Sequence, residues 1–198
     1  MGNSSSAGWL LFAPHHAREL GARVAAALHR PLAPSEEREF DYGEHKMRPL
    51  DDVRGRDCYV LQALAGDDQA SVNDRLCRAL FFIGALKDAG ALRVTALLPY
   101  LAYARKDRRT KPHDPITMRY VAALLEAVGT DRVVVLEVHN EAAFDNAFRC
   151  ETVRLEAAQL FAETIAARTD ARHLVVVSPD VGIKRVQQLR TMLAAKLG

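Results

Sequence analysis

The sequence predicts an α/β protein, a parallel sheet with helices on both faces. Three observations predict it. Short continuous runs of Val and Leu recur along the chain, as in strands buried on two faces. Between them lie stretches with apolar residues three and four positions apart, the period of amphipathic helices. The two kinds alternate along most of the chain, the order expected of βα units.

The elements follow in order. Trp9 to Phe12 is a short apolar run, and Arg18 to Leu28 carries Leu20, Val24, Ala25 and Leu28 at helical spacing. From Leu32 to Leu50 the alternation breaks into charged, short extended pieces, read as a β-hairpin or flap. Cys58 to Gln62 is a buried strand, and Val72 to Leu86 a long helix rich in Leu, Phe and Ala. Val94 to Leu98 is a strand; Ile116 to Val128 is a helix stopped by Gly129. A strand at Val133 to Val138, a helix at Leu155 to Ala167, a strand at Leu174 to Val177 and a helix at Lys184 to Lys196 complete the chain.

The domain expectation is a disordered polar tail over 1–8, an α/β domain over 9–150, and the start of a second α/β domain over 151–198. The piece after Phe148 to Thr152 holds one helix, one strand and one helix, too little to bury a core alone. Of 198 residues, 49% are hydrophobic and 26% charged, the composition of a globular protein. A net charge of +2 does not support a nucleic-acid or membrane surface, so basic clusters are local features. Cys58, Cys77 and Cys150 are widely spaced and odd in number, which argues against a disulfide framework and for the cytoplasm. No apolar run approaches the ~20 residues of a bilayer span.

Three constellations follow strand ends. The first is Arg105, Lys106, Arg108, Arg109 and Lys111, just beyond the strand that ends before Pro99. That much positive charge beside a buried strand is costly unless an anion or solvent receives it. Arg presents a planar fork to phosphate oxygens and Lys a compact charge, so the loop reads as a polyphosphate site. Tyr100 and Tyr103 are placed to pack on a base. The second is Glu137-Val-His139-Asn-Glu141, where Glu137 and His139 share a face if the strand persists. His139 is either a ligand for a divalent cation or phosphate, or a hydrogen-bonded strand-end histidine. The third is Ser178-Pro-Asp180-Val-Gly182, where Asp180 is either a Mg²⁺ ligand or a helix-capping residue. The chain contains no Gly-rich P-loop, Gly-x-Gly-x-x-Gly, Cys-x-x-Cys or His-Glu-x-x-His.

Taken in order, these segments resemble the ribose-phosphate diphosphokinases. The resemblance rests on Phe40 to Glu44, Val53 to Asp57, Pro99 to Ile116, Val133 to His139 and Ser178 to Arg185. It is most specific in Pro-Tyr-x-x-Tyr-Ala-Arg-x-Asp-Arg-Arg and the downstream Pro-Ile-Thr. The resemblance implies a phosphoribosyltransferase-like sheet and transfer of diphosphate from Mg²⁺–ATP to ribose 5-phosphate, giving AMP and phosphoribosyl pyrophosphate. By the same resemblance, Arg105, Lys106, Asp107 and Arg108 bind ATP, with Phe40 and Glu44 of the flap reaching the adenine of a neighbouring subunit. His139 and Asp180 lie at the Mg²⁺ site. Dimers, within larger and often hexameric rings, are the implied assembly.

The chain departs from that family at several positions. Lys106 stands where the family usually has Gln, Tyr42 where its flap has Asp, and Glu137 where Asp precedes the histidine. One glycine, Gly182, replaces two. The family's catalytic loop and ribose-phosphate loop find no match in these 198 residues. The expectation for the polypeptide as given is therefore an ATP half-site without synthetase activity. The alternative is a non-catalytic, synthetase-like regulatory subunit.

Overall fold

The computed structural model describes residues 8–169, 174–178 and 183–197. Two compact units are present, Met1–Arg154 and Leu155–Gly198.

The first unit is built on a five-stranded sheet in the order β1-β4-β5-β6-β7. Its strands are β1 (Leu10–Phe12), β4 (Asp57–Leu61), β5 (Arg93–Leu98), β6 (Arg132–Leu136) and β7 (Glu151–Leu155). The first four pair in parallel, with Leu10 opposite Cys58, Cys58 opposite Val94, and Leu98 opposite Val135. Strands β1, β4 and β5 alternate between two cores because successive side chains point to opposite faces. Cys58, Val60, Val94, Ala96, Leu98, Val133 and Val135 join the larger core with Leu76, Phe82, Ile83 and Leu86 of α2 (Val72–Asp88) and Val121 and Leu125 of α3 (Thr117–Ala127). Leu11 and Leu61 join a smaller core with Ala25 of α1 (Arg18–Ala27). Helices thus cover both faces, as the sequence predicts.

Local signals set the helix ends. Ser71 caps α2: its hydroxyl oxygen accepts from the Asp74 amide at 3.1 Å while the Asp74 carboxylate accepts from the Ser71 amide at 2.9 Å. Gly129 closes α3 at φ +93°, where a Cβ would stand 2.8 Å from the Lys87 side chain. That combination of left-handed backbone and close approach admits little besides glycine. The flap between Leu32 and Leu50 is a hairpin, β2 (Ser35–Glu39) antiparallel to β3 (His45–Pro49).

Two elements went unpredicted: β7, the edge strand, and α4 (Glu141–Ala147). In the second unit, α5 (Ala158–Ala166) and α6 (Ile183–Leu197) bury Ala162 and Leu193. The predicted strand at Leu174 to Val177 is not found: residues 174–178 make no strand, and Val175 and Val177 are exposed. A strand needs a ladder partner, and none pairs with this segment among the described residues. The predicted tail falls largely on residues 1–7, outside the described residues. No helix among the described residues is long and apolar enough to cross a membrane.

Candidate functional site

Because β5 and β6 are parallel neighbours, the loops that leave their carboxyl ends emerge side by side at one edge of the sheet. In open parallel sheets this edge is where ligands bind. The basic loop leaves β5 and the His139 turn leaves β6, so topology alone brings two of the three predicted constellations together.

The basic loop is held by buried anchors rather than by its charges. Leu101 and Ala102 are buried in the larger core, and Tyr100 accepts from the Leu64 amide through its carbonyl at 3.1 Å. Tyr103 then turns the chain in a left-handed conformation, φ +59°, and its carbonyl accepts from the Lys106 amide at 2.9 Å. Its phenol donates to Oδ1 of Asn73 in the first turn of α2. Val72, Tyr100, Tyr103, Arg105 and Lys106 line the resulting cleft of about 420 Å³.

Arg105, Lys106 and Arg108 are exposed, and none is ion-paired to a carboxylate among the described residues. Other arginines are committed: Arg75 to Asp67, Arg78 to Glu39, Arg93 to Asp57, Arg132 to Glu151. Farther along, Asp114 gathers the loop. Its Oδ2 accepts from the Thr110 amide and hydroxyl and the Lys111 amide at 3.1, 2.7 and 2.9 Å. The Thr110 hydroxyl bond, followed by the two amide bonds, holds the Asp114 carboxyl below its ordinary pKa. The Lys106 carbonyl accepts from the Met118 amide at 3.2 Å and so joins the loop to the first turn of α3.

The second constellation differs from its sequence reading. β6 ends at Leu136 and Glu137 adopts φ +60°, so Glu137 and His139 do not share a strand face. A non-glycine residue in this region is strained, a feature that gathers at functional turns. Val138 is buried, whereas His139 and Asn140 are exposed. Asn140 uses both ends of its amide. Oδ1 caps α4 by accepting from the Ala143 amide at 3.1 Å, and Nδ2 donates to Oδ2 of Asp107 at 2.8 Å. This bond ties the His139 turn to the basic loop. Neither Asn140 nor Asn73 was singled out from the sequence, although Asn before Glu141 at a helix start is a recognisable cap signal.

Phe40 and Glu44 are placed elsewhere. The flap lies along α2, where Arg78 makes a two-pronged ion pair with Glu39. Glu44 lines a separate cleft of about 300 Å³ with Asp74, Arg78 and Phe81. Phe40 is half-exposed under the Arg38 guanidinium, 4.9 Å from its ring centre. Tyr42 is fully exposed at φ +65°. Within this chain the flap therefore does not join the Arg105 cleft. Asp180 and Gly182 lie outside the described residues.

Among the described residues no three His, Cys, Asp or Glu side chains converge as a metal set. Mg²⁺ beside substrate phosphates takes few protein ligands, and His139, exposed on the turn that leaves β6, is the described residue that would offer one. A further cleft of about 350 Å³ lies beside His15, His16 and Arg78. Its lining mixes signs, Arg18, Arg38 and Arg78 with Glu37 and Glu39, and Arg78 is bound to Glu39, whereas the lining of the Tyr100–Lys106 cleft holds two cations and no carboxylate. The Tyr100–Lys106 cleft is the better anion receptor.

Comparisons with known proteins agree on one family. The family model for the N-terminal domain of ribose phosphate pyrophosphokinase matches residues 9–129. A ribose-phosphate pyrophosphokinase of Granulibacter bethesdensis is 37% identical over 91% of the chain and 57% of its own length. One from Fusobacterium nucleatum is 34% identical over 94% of the chain and 58% of its own length. The crystal structure of phosphoribosylpyrophosphate synthetase from Mycobacterium smegmatis superposes with a TM-score of 0.84 at 34% identity, over 96% of the chain and 61% of that structure. The chain thus spans a little over half the length of the curated relatives it matches.

Proposed function

The chain belongs to the ribose-phosphate pyrophosphokinase family, and from that premise we propose that its Tyr100–Lys106 cleft binds ATP for diphosphoryl transfer to ribose 5-phosphate. The supporting observation is the set of exposed cations Arg105, Lys106 and Arg108 beside two tyrosines at the carboxyl edge of the sheet. Tyr100 and Tyr103 offer flat apolar faces to the base. The cations orient the polyphosphate and offset charge building on the α-phosphate as AMP departs.

In the transfer, the 1-hydroxyl oxygen of ribose 5-phosphate bonds to the β-phosphorus. The bond from that phosphorus to the α,β-bridging oxygen breaks, and the hydroxyl proton is released. His139, with Asp180 outside the described residues, would hold the Mg²⁺. When bound, the ion supplies charge neutralisation on the phosphates. The acceptor sugar site is assigned to none of these residues.

Self-association into dimers, and of dimers into hexamers, and a cytoplasmic location complete the proposal. Three free thiols are consistent with a reducing compartment, and burial pushes Cys58 and Cys150 up to about 11, leaving them unreactive.

Titration calorimetry with Mg²⁺–ATP tests the reading. Hydrogen bonds to charged groups carry enough energy that Arg105→Ala should weaken binding about tenfold or more at low salt. Unchanged affinity would remove Arg105 from the site. Assembly without any nucleotide binding would support the non-catalytic regulatory alternative. AMP formation dependent on ribose 5-phosphate by the 198-residue polypeptide would show that the acceptor is bound here as well.

A further inference from the structure

Asp107 is an anion in the middle of a loop proposed to grip a polyphosphate. Beside phosphate its carboxylate would repel the ligand. The structure turns it aside: Asp107 is half-buried while its neighbours Lys106 and Arg108 are exposed, and its Oδ2 accepts from Asn140 Nδ2 at 2.8 Å. The partner is anchored in turn. Asn140 Oδ1 accepts from the Ala143 amide at 3.1 Å, and the Asn140 carbonyl accepts from the Phe144 amide at 3.0 Å, while Phe144 is fully buried. One side chain therefore bridges the loop after β5 and the cap of the helix after β6. It stands one residue from His139, on a turn whose entry is fixed by the left-handed Glu137.

We propose that Asn140 is a positioning residue, and that its bond to Asp107 clasps the His139 turn to the Arg105–Arg109 loop so that imidazole and cations are presented to one nucleotide as a unit. This deepens the nucleotide reading and rests on it. A point charge such as Asp alone at both positions would fail, because two carboxylates repel. An amide facing a carboxylate supplies a donor to the loop and an acceptor to the helix from a single group. Asp107 acts through the same clasp rather than by touching phosphate.

The test uses four forms of the 198-residue chain: unaltered, Asn140→Ser, Asn140→Asp, and Asn140→Asp combined with Asp107→Asn. Serine keeps a capping oxygen for α4 but is too short to reach Asp107. Aspartate also caps the helix but faces the Asp107 carboxylate. The combined form restores an amide–carboxylate pair with the roles reversed. Affinities for Mg²⁺–ATP are measured by calorimetry, and the His139 imidazole resonances by NMR without nucleotide. A charge-assisted hydrogen bond, discounted for exposure, gives an expected loss of about five- to tenfold for Asn140→Ser and Asn140→Asp. The combined form should return to within about twofold of the unaltered chain, with its His139 signals restored. Helix content by circular dichroism should stay constant across all four. If the unaltered chain binds Mg²⁺–ATP while Asn140→Ser binds equally well with unmoved His139 signals, the clasp is refuted and the nucleotide reading stands. A combined form no better than Asn140→Asp also refutes it. Failure of the unaltered chain to bind Mg²⁺–ATP sinks the nucleotide reading, and the clasp with it.

Discussion

Truncating Phe144 to Ala should separate the part of the site that packing holds from the part that charge holds. Helix α4 has seven residues, too few to persist on helical hydrogen bonds alone. It stays in place because Phe144 is fully buried in the larger core and its ring lies 5.1 Å from that of Phe148, which is also buried. Removing a buried phenyl ring costs about 4 kcal/mol, from lost transfer free energy and the cavity left behind. In a unit of this size each kcal/mol shifts Tm by about 2–4 °C, so Phe144→Ala should lower Tm by roughly 8–16 °C. Differential scanning calorimetry reads that shift. Hydrogen exchange of the variant should show the amides at position 144 and at Ala143 losing protection before those of β5, because α4 undocks first. Mg²⁺–ATP affinity should fall too, since the Asn140 cap goes with the helix. A Tm loss below about 3 °C would mean that α4 is not held by this ring and would refute the reasoning.

Two further outcomes concern the flap. Burial, aided by the Arg78 guanidinium, holds His45 below its ordinary pKa of 6.5 against the opposing pull of Glu37 and Glu39. The unfolded chain takes that proton near pH 6.5 and the folded chain only at lower pH, so this stability is present above pH 6.5 and lost as pH falls below it. Thermal melts from pH 7.5 down to 5 should show the loss, and His45→Gln should flatten it; an unchanged slope in His45→Gln would contradict the assignment. Carboxyls held down by partners, Glu39 by Arg78 and Asp114 by Thr110, contribute a separate loss only below their ordinary values of 4.5 and 3.8. Arg78→Ala should free the hairpin from α2. Glu39 is well exposed, so the pair contributes about 1 kcal/mol, and chymotryptic cleavage at Phe40 or Tyr42 should quicken about fivefold. Equal cleavage rates would show that the ion pair does not hold the flap.

The fold was legible where burial wrote a period into the chain. Val94–Leu98 read as a buried strand because Val94, Ala96 and Leu98 meet the larger core while Leu97 packs on the smaller. Val133–Val135 did so because Val133 and Val135 are buried in the larger core, and Gly129 read as a helix stop because its left-handed backbone requires it. α4 was missed because seven residues around a single core anchor, Phe144, make no visible periodicity. β7 was missed because an edge strand of Glu, Thr and Arg around Val153 and Leu155 does not look apolar. The run at Leu174–Val177 misled for the opposite reason: its composition suits a strand, but strand formation is settled by a partner rather than by composition. At the site, the cations and tyrosines were visible in sequence. Asn140–Asp107 and Tyr103–Asn73 were not, since contacts 33 and 30 residues apart depend on which loops the sheet sets side by side.

The most direct measurement is an NMR titration of the 198-residue chain with Mg²⁺–ATP, following every backbone amide. The largest shifts should converge on Tyr100 to Arg109 and on His139–Asn140, the two loops leaving β5 and β6. Shifts confined to the cleft around His15, His16 and Arg78, with Arg105 and His139 silent, would contradict it.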